Sequence, residues 1–463
     1  MLQILILVCL AIYLIIMFAI GIYGKKYASN FSDYLTAGKR STVLMVIGTA
    51  VGAHIGSGFI IGGAEGAVLD GYGGVWYGLG CAFSYLLLSF TIAKLVQRKG
   101  YVTLSDYFLA RYKHKNIRLI YSGSTALAYL GILAGQIMAG KAIFEGFGYN
   151  GTIGAIITTA VVLFYSTLSG LWGAYVTSII QSSIIVVGLI GTAIHILTSG
   201  GWEIVTSTLP ESQFNLFCYD PETWVMLVVP VLVSSVVDQG NFQRCASSKS
   251  EKVAVYGHLG AFIVLLAMAW MPVIVGMYGA AVYPNSVPAS IFFTVVLGEF
   301  PPILGAILVS SVIAAVMSTA DMSFMCISAT VVHDIYKGMV KPKASDKELQ
   351  RMAVLTNIVV CVLGLALALS ASSILSLLSS VYSLIVAGCL VPFVFGLFWK
   401  KGNARAAFSS AAVGIGLFLL DKFGLLSIPF ASISTIIPAA IVYVIVSLVT
   451  QTPVESTMTS VEE

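Results

Sequence analysis

Residues Gly48–Gly66 read GTAVGAHIGSGFIIGGAEG. The stretch is apolar enough to lie in a membrane, yet it cannot be one continuous helix. Seven glycines fall in these nineteen residues, and each weakens a helix by about 1 kcal/mol relative to alanine. His54 and Ser57 sit at its centre, where polar groups are costly in lipid. A break there exposes backbone carbonyls, which are tolerated at membrane depth only where they face protein or a watery cavity. Interrupted spans of this kind point to the binding site of a transporter. Glycines also let helices pack closely, and that reading stays open for the glycines alone; His54 and Ser57 beside them argue for a site.

Working outward, the 463 residues are 58% hydrophobic and 10% charged, with a mean hydropathy of +0.96. A soluble chain carries about 25% charge, so the composition is that of an all-α polytopic membrane protein. With about 20 apolar residues needed per crossing, thirteen transmembrane helices are expected. They run over 3–24, 42–67, 73–97, 119–146, 152–168, 173–198, 223–240, 253–282, 302–335, 350–370, 374–398, 404–421 and 430–450. The first has no basic leader and no small-residue cleavage site, which makes it a retained helix rather than a signal peptide.

Alternate connections hold 22 of the 24 lysines and arginines, and only Lys141 and Lys422 fall on the opposite side. By the positive-inside rule the N-terminus is expected outside and the C-terminus in the cytoplasm, in a plasma membrane. The polar residues 451–463 are expected to form a disordered cytoplasmic tail. Seven cysteines without a CxxC pair support neither a disulfide framework nor a zinc site. No Walker A loop, HExxH or GxSxG pattern occurs, so ATP-driven pumping and hydrolysis have no visible machinery. Nor do a nucleophile, a base and an orienting group stand together. A transporter is expected, not an enzyme, with membrane lipid as its surroundings and neither nucleic acid nor an obligatory protein partner.

A second constellation lies in the ninth span. Ala315, Ser318 and Thr319 are spaced i, i+3, i+4 and share one helix face. Two hydroxyls and the Ala315 carbonyl give three neutral oxygens, and the carbonyls of Gly52 and Ile55 opposite bring the number to five. Neutral oxygens without a carboxylate suit a monovalent cation such as Na+, because calcium wants charged ligands. The competing reading is that both hydroxyls bond only their own helix.

At this point the chain resembles the sodium/solute symporter family. The resemblance rests on SDYLTAGKR (Ser32–Arg40), GAHIGSG (Gly52–Gly58), TLSDYFLARY (Thr103–Tyr112) and SGLWGAYVTSIIQ (Ser169–Gln181). It continues through FQR (Phe242–Arg244), AAVMSTAD (Ala314–Asp321), DIYK (Asp334–Lys337) and GLFWKK (Gly396–Lys401). It implies one membrane transporter domain over 1–463, with a leucine-transporter-like core of two inverted five-helix repeats, 42–198 and 223–398. Residues 1–41 and 399–450 would be peripheral. Matched residue by residue, it implies Na+ ligands at Gly52, Ile55, Ala315, Ser318 and Thr319. It also implies a solute site beside them, with His54, Ser57, Gln136, Gln239, Ser379 and Tyr382 as candidates. Asp238, with Gln239, is expected at an inner gate, Glu65 at the outer vestibule, and Asp321 in a structural role. Many relatives carry an aspartate where this chain has Ser178, so one coupled Na+ is expected rather than two. The function implied is Na+-driven uptake of a small organic solute, an amino acid such as proline or a small carboxylate. A proton-coupled or ion-independent transporter, and a solute-sensing receptor without transport, are the alternatives; His54 keeps the first in play.

Overall fold

The structure is a computed structural model that describes residues 31–450 together with isolated positions between 8 and 23. The expected first helix lies mostly, and the expected tail wholly, outside the described residues. Among the described residues the named elements are all helical, and the one strand-like pairing is the isolated bridge Ser41–Ser248.

Side-chain caps mark where most helices begin. Thr42 accepts from the Met45 amide and starts α1 (Val43–His54). The chain then breaks, passes a short, wide π-helical turn (Gly58–Gly62), and continues as α2 (Gly63–Asp70) and α3 (Val75–Phe90). Thr103 and Asp106 form a capping box that opens α4 (Leu104–Tyr112). Next come α5 (Ile117–Gly146) and α6 (Gly151–Thr198), the latter capped by Asn150. Asp220 with Pro221 behind it starts α7 (Pro221–Ser234), and Asp238 starts α8 (Gln239–Ser247). The remaining long helices are α9 (Glu251–Val282), α10 (Pro302–Ile327), α11 (Asp346–Ser370), α12 (Ile374–Ile385), α13 (Ala404–Lys422) and α14 (Ile436–Val449).

Eight described helices are long and apolar enough to cross a membrane, and a ninth span is the pair Pro221–Val237 and Gln239–Ser247, bent by 42°. Four shorter apolar stretches accompany them: Val43–His54, the first part of α6 (Gly151–Phe164), Pro288–Glu299 and Ile436–Val449. Of these, Pro288–Glu299 was not expected, because its apolar run is too short to register as a crossing. Val354, Leu355, Ile358, Val359 and Val362 on α11 are all exposed. Such a continuous apolar face is what lipid, not water, accommodates.

The two interrupted spans lie at the centre. α1 packs on α6, α9 and α10, while α5 packs on α6, α10 and α12. Their cores are small and tightly fitted: a Cβ on Gly257 would stand 2.5 Å from Val46. The start of the first interrupted span and the end of the second are tied together, with the Ser41 amide bonding the Ser247 carbonyl at 3.0 Å and the Lys249 amide bonding the Ser41 carbonyl at 3.1 Å. This short stitch fixes where one break stands relative to the other.

Candidate functional site

The break after α1 has a simple cause in its hydrogen bonds. In a continuous helix the Gly56 amide would donate to Gly52 and the Ser57 amide to Ala53. Here Gly56 N donates to the His54 carbonyl at 2.8 Å, and Ser57 N donates to Gln136 Oε1 at 3.1 Å. Gln136 Nε2 returns a bond to Ser57 Oγ at 2.9 Å. Gln136, fully buried on α5, thereby seals one lip of the break. The carbonyls of Gly52 and Ala53 lose their helical donors.

Both of those carbonyls turn to α10. Thr319 Oγ1 stands 3.2 Å from Gly52 O, 3.3 Å from Ala53 O and 3.2 Å from its own Ala315 O. A threonine hydroxyl has one proton, so it can satisfy one of these three acceptors at a time. Beside them, Ser318 Oγ and Ser178 Oγ are 2.9 Å apart, and a Cβ on Gly52 would stand 2.7 Å from Ser318 Oγ. A buried cluster rich in lone pairs and poor in protons is costly by itself. A hard cation lowers that cost, because neutral oxygens can take the place of its water shell.

Of the five expected ligands, Gly52, Ala315, Ser318 and Thr319 meet here. Ile55 is the residue at which α1 ends, with φ −75° and ψ 67°. Ala53 supplies a carbonyl that the sequence reading did not include. The signal for it was present in the glycine spacing, since a break at Gly56 and Ser57 frees the carbonyls four residues earlier.

The expected solute-site residues divide into two sets. Ser57 and Gln136 bond one another at the break. Half-buried His54 meets Tyr85 on α3, with His54 Nδ1 and Tyr85 Oη 2.7 Å apart and the rings edge to face. Tyr85 Oη is also 3.2 Å from the Ala50 carbonyl. Tyr382 is buried on α12, the helix whose Leu378 packs where a Gly58 Cβ would stand. Gln239 and Ser379 lie elsewhere. Gln239 accepts from Leu104 N at 2.9 Å and donates to Val102 O at 3.2 Å, holding the turn before α4. Ser379 donates to the Met226 carbonyl and lines a separate cavity between α7, α12 and α13.

The second break is built on Asp238. Its Oδ1 accepts from Asn241 N at 2.8 Å and caps α8, while Oδ2 accepts from Tyr129 Oη at 2.7 Å. The same Tyr129 oxygen accepts from Gly240 N at 2.9 Å. Arg244, the largest fully buried side chain described, donates from Nη1 to Asn241 at 2.7 Å. Glu65, on α2, is half-buried, and its Oε2 has no hydrogen-bond partner among the described residues. Asp321 is buried on α10 two residues past Thr319. Lys141 and Glu145 face one another at 3.9 Å, one turn apart, as their spacing predicts.

The profile of the sodium:solute symporter family matches residues 34–414. The chain belongs to that family. The symporter is 27% identical over 450 residues to the sodium/pantothenate symporter of Haemophilus influenzae, covering 89% of each chain. It is 26% identical over 476 residues to a sodium/proline symporter of Staphylococcus aureus, covering 96% of this chain and 91% of the relative. Its fold superposes on a Na+-coupled sialic acid symporter solved substrate-bound and outward-open. That match has a TM-score of 0.82 at 20% identity and covers 97% and 99% of the two chains. MhsT in complex with L-phenylalanine gives a TM-score of 0.55 at 16% identity, covering 88% and 98%. Membership makes the symporter a multi-pass membrane transporter and not an enzyme.

Sequence reasoning passed over one polar knot in the symporter. Asp334 is wholly buried and accepts from Thr103 Oγ1 at 2.9 Å and Ser122 Oγ at 2.8 Å, with His333 Nδ1 at 3.0 Å. Asp106 accepts from Arg118 Nη2 at 3.1 Å and from the amides of Val102 and Thr103 at 3.2 Å. Asp106, His333 and Asp334 lie close enough to hold a metal ion, but hydroxyls, amides and a guanidinium already serve both carboxylates. The knot ties the α4 start to α5 and to the helical segment Ser328–Val340 that continues α10. DIYK and TLSDYF are far apart in the chain, so nothing local announced their meeting.

Proposed function

We propose that the chain couples inward movement of one Na+ per cycle to uptake of a small organic solute by alternating access. Its Na+ site would consist of the carbonyls of Gly52, Ala53, Ile55 and Ala315 and the hydroxyls of Ser318 and Thr319. The observation that carries this reading is the single Thr319 proton shared among three buried carbonyls. Ser178 adds an uncharged oxygen beside Ser318, which supports one cation rather than two, since a serine brings no charge to offset a second.

The solute would sit at the break beside His54, Ser57 and Gln136, with Tyr382 across from them. Relatives that take proline and pantothenate make an amino acid or a small carboxylate the substrate class to test. Bound Na+ would draw α1 and α10 together, hold the break in one geometry and so raise solute affinity; linkage requires that solute raise Na+ affinity equally. The thirteen-helix count, the two inverted repeats over 42–198 and 223–398, the outer N-terminus and the plasma membrane complete the proposal. In it Asp238, with Gln239, closes the inner side and Glu65 lines the outer mouth.

The test is binding of radiolabelled Na+ to the purified chain, then uptake of labelled candidate solutes into proteoliposomes under a Na+ gradient at fixed pH. Saturable binding near one ion per chain, lost in Ser318→Ala/Thr319→Ala, supports the site. Uptake that persists at fixed pH without Na+ would transfer the coupling to protons or to no ion.

A further inference from the structure

The Asp334 side chain is wholly shut off from water, whereas that of His333 beside it is 25% exposed. Thr103 Oγ1 and His333 Nδ1 both donate to Asp334 Oδ1, and Ser122 Oγ donates to Oδ2. A carboxylate buried so deeply is costly unless a cation offsets it. The charges that bear on His333 are those of Asp334, Asp106 on α4 and Arg118 on α5. Arg118 is already paired with Asp106 at 3.1 Å, and its guanidinium rests in the space that Gly338 leaves open. Two carboxylates and one guanidinium leave a net negative charge, which an imidazolium at His333 cancels.

Other charges around the knot are engaged elsewhere. Arg111 on α4 donates to the carbonyls of Gly396 and Trp399. Glu348 on α11, which packs on the same segment, accepts from Tyr336 Oη and Lys341 Nζ. Lys337, one turn beyond His333, makes no ion pair among the described residues. His333 is therefore the group that decides whether the knot is balanced. An imidazole changes charge between about pH 5 and 8. When neutral it can keep its Nδ1 proton on Asp334, but it loses the charge that strengthens the bond.

The knot reaches the second break through Thr103. Gln239 holds the residues on either side of it, since Leu104 N donates to Gln239 Oε1 at 2.9 Å and Gln239 Nε2 donates to Val102 O at 3.2 Å. Gln239 is the first residue of α8, directly after the Asp238 that caps it. The turn 102–104 is thus clamped between Asp334 on one side and α8 on the other. A weaker hold at Asp334 frees the turn on which Gln239 leans, and with it the start of α8.

We propose that His333 is a positioning residue that makes inner closure respond to cytoplasmic pH. As an imidazolium it holds the turn 102–104 against Gln239, and on losing its proton it lets α8 part from that turn more often. The proposal rests on the symporter reading and its orientation, which put the basic connection that carries α4 in the cytoplasm.

The test uses the full chain in nanodiscs on a Cys218→Ser background, because Cys218 is the exposed cysteine among those described. The readout is alkylation by N-ethylmaleimide of Cys245, fully buried on α8, followed by peptide mass spectrometry from about pH 5.5 to about pH 8.5. His333→Asn, whose amide donates but carries no charge, is measured at each pH, so that thiol chemistry cancels in the ratio of the two rates. His333→Gln is the second neutral variant. At the alkaline end the parent and the neutral variants are expected to react alike. At the acid end the parent is expected to react about fivefold more slowly. In right-side-out proteoliposomes, with the outer pH and the Na+ gradient fixed, uptake by the parent should rise about fivefold as the internal pH climbs over the same range. Uptake by His333→Asn should stay level.

The proposal is overturned if the Cys245 ratio does not change with pH, or if the parent is the faster at the acid end. It is also overturned if uptake follows internal pH equally in the parent and His333→Asn, since the sensor would then lie elsewhere. Absence of Na+-driven uptake at every pH, with the Cys245 ratio still changing, sinks the transport reading and leaves the pH-sensitive closure.

Discussion

Thr319 Oγ1 lies 3.2 Å from the carbonyl oxygen of Gly52, across the gap between α10 and the broken end of α1. A residue 267 positions away thus attends to an acceptor that its own helix has abandoned. Because the same hydroxyl also faces Ala53 and Ala315, its oxygen matters more than its proton. Thr319→Val, which keeps the shape and removes the oxygen, should raise the Na+ dissociation constant at least about tenfold, or about 1.4 kcal/mol. Thr319→Ser should stay near the parent value. Equilibrium binding of radiolabelled Na+ decides it, and an unchanged constant in the valine variant would remove Thr319 from the site.

Gly56 is where space is tightest around these groups. A Cβ there would stand 2.5 Å from Thr319 Oγ1 and 3.0 Å from Gln136 Oε1. Overpacking of this kind costs about 1–3 kcal/mol, and here it pushes on both the Thr319 hydroxyl and the Gln136 seal of the break. Gly56→Ala should abolish Na+-driven uptake in a chain that still folds. Gly123→Ala on α5, with nothing within 4 Å of the added methyl, is the control and should transport normally. Equal uptake by the two variants would contradict the geometry.

Gln136 contributes in a different way, since it satisfies a backbone amide that the break has orphaned. Gln136→Leu leaves the buried Ser57 N–H without its partner, which costs about 1–3 kcal/mol. Gln136→Glu keeps an acceptor for that amide and should cost less. Thermal unfolding followed by size-exclusion chromatography should therefore rank the parent above Gln136→Glu and Gln136→Leu lowest. The reverse order for the two variants would mean that the Gln136 amide group, not its carbonyl oxygen, matters.

At the second break, the Tyr129 hydroxyl joins α5 to the Asp238 carboxylate and the Gly240 amide. Tyr129→Phe removes both contacts at once and leaves the Asp238 cap on Asn241 in place. The inner half should then open more often, which exposes Cys245 on α8, fully buried in the parent structure. Its alkylation rate by N-ethylmaleimide should rise about fivefold, an opening cost lowered by about 1 kcal/mol. No change in rate would separate this tyrosine from inner closure.

The site was partly legible in the chain because some of its causes are local. Glycines at 52, 56 and 58 with a histidine and a serine among them mark a helix that cannot continue. The Ser318–Thr319 pair could be read as a set of oxygens on one face. By contrast, the assignment of Gln239 and Ser379 to the solute region did not anticipate their bonds to Val102, Leu104 and Met226. A helix of known pitch tells which residues share a face, but not what that face meets.

Hydropathy, charge placement and helix propensity act over one or two turns, so the sequence by itself determined the apolar segments, the alternation of the basic residues between connections and the position of the first break. Only the tertiary structure decided that Ala53 shares Thr319, that Gln136 seals Ser57 and that Tyr129 bridges Asp238. It likewise decided that Lys422, at the end of α13, reaches Ser380 on α12. Each of these joins groups tens to hundreds of residues apart, and their meeting depends on how whole helices pack against one another.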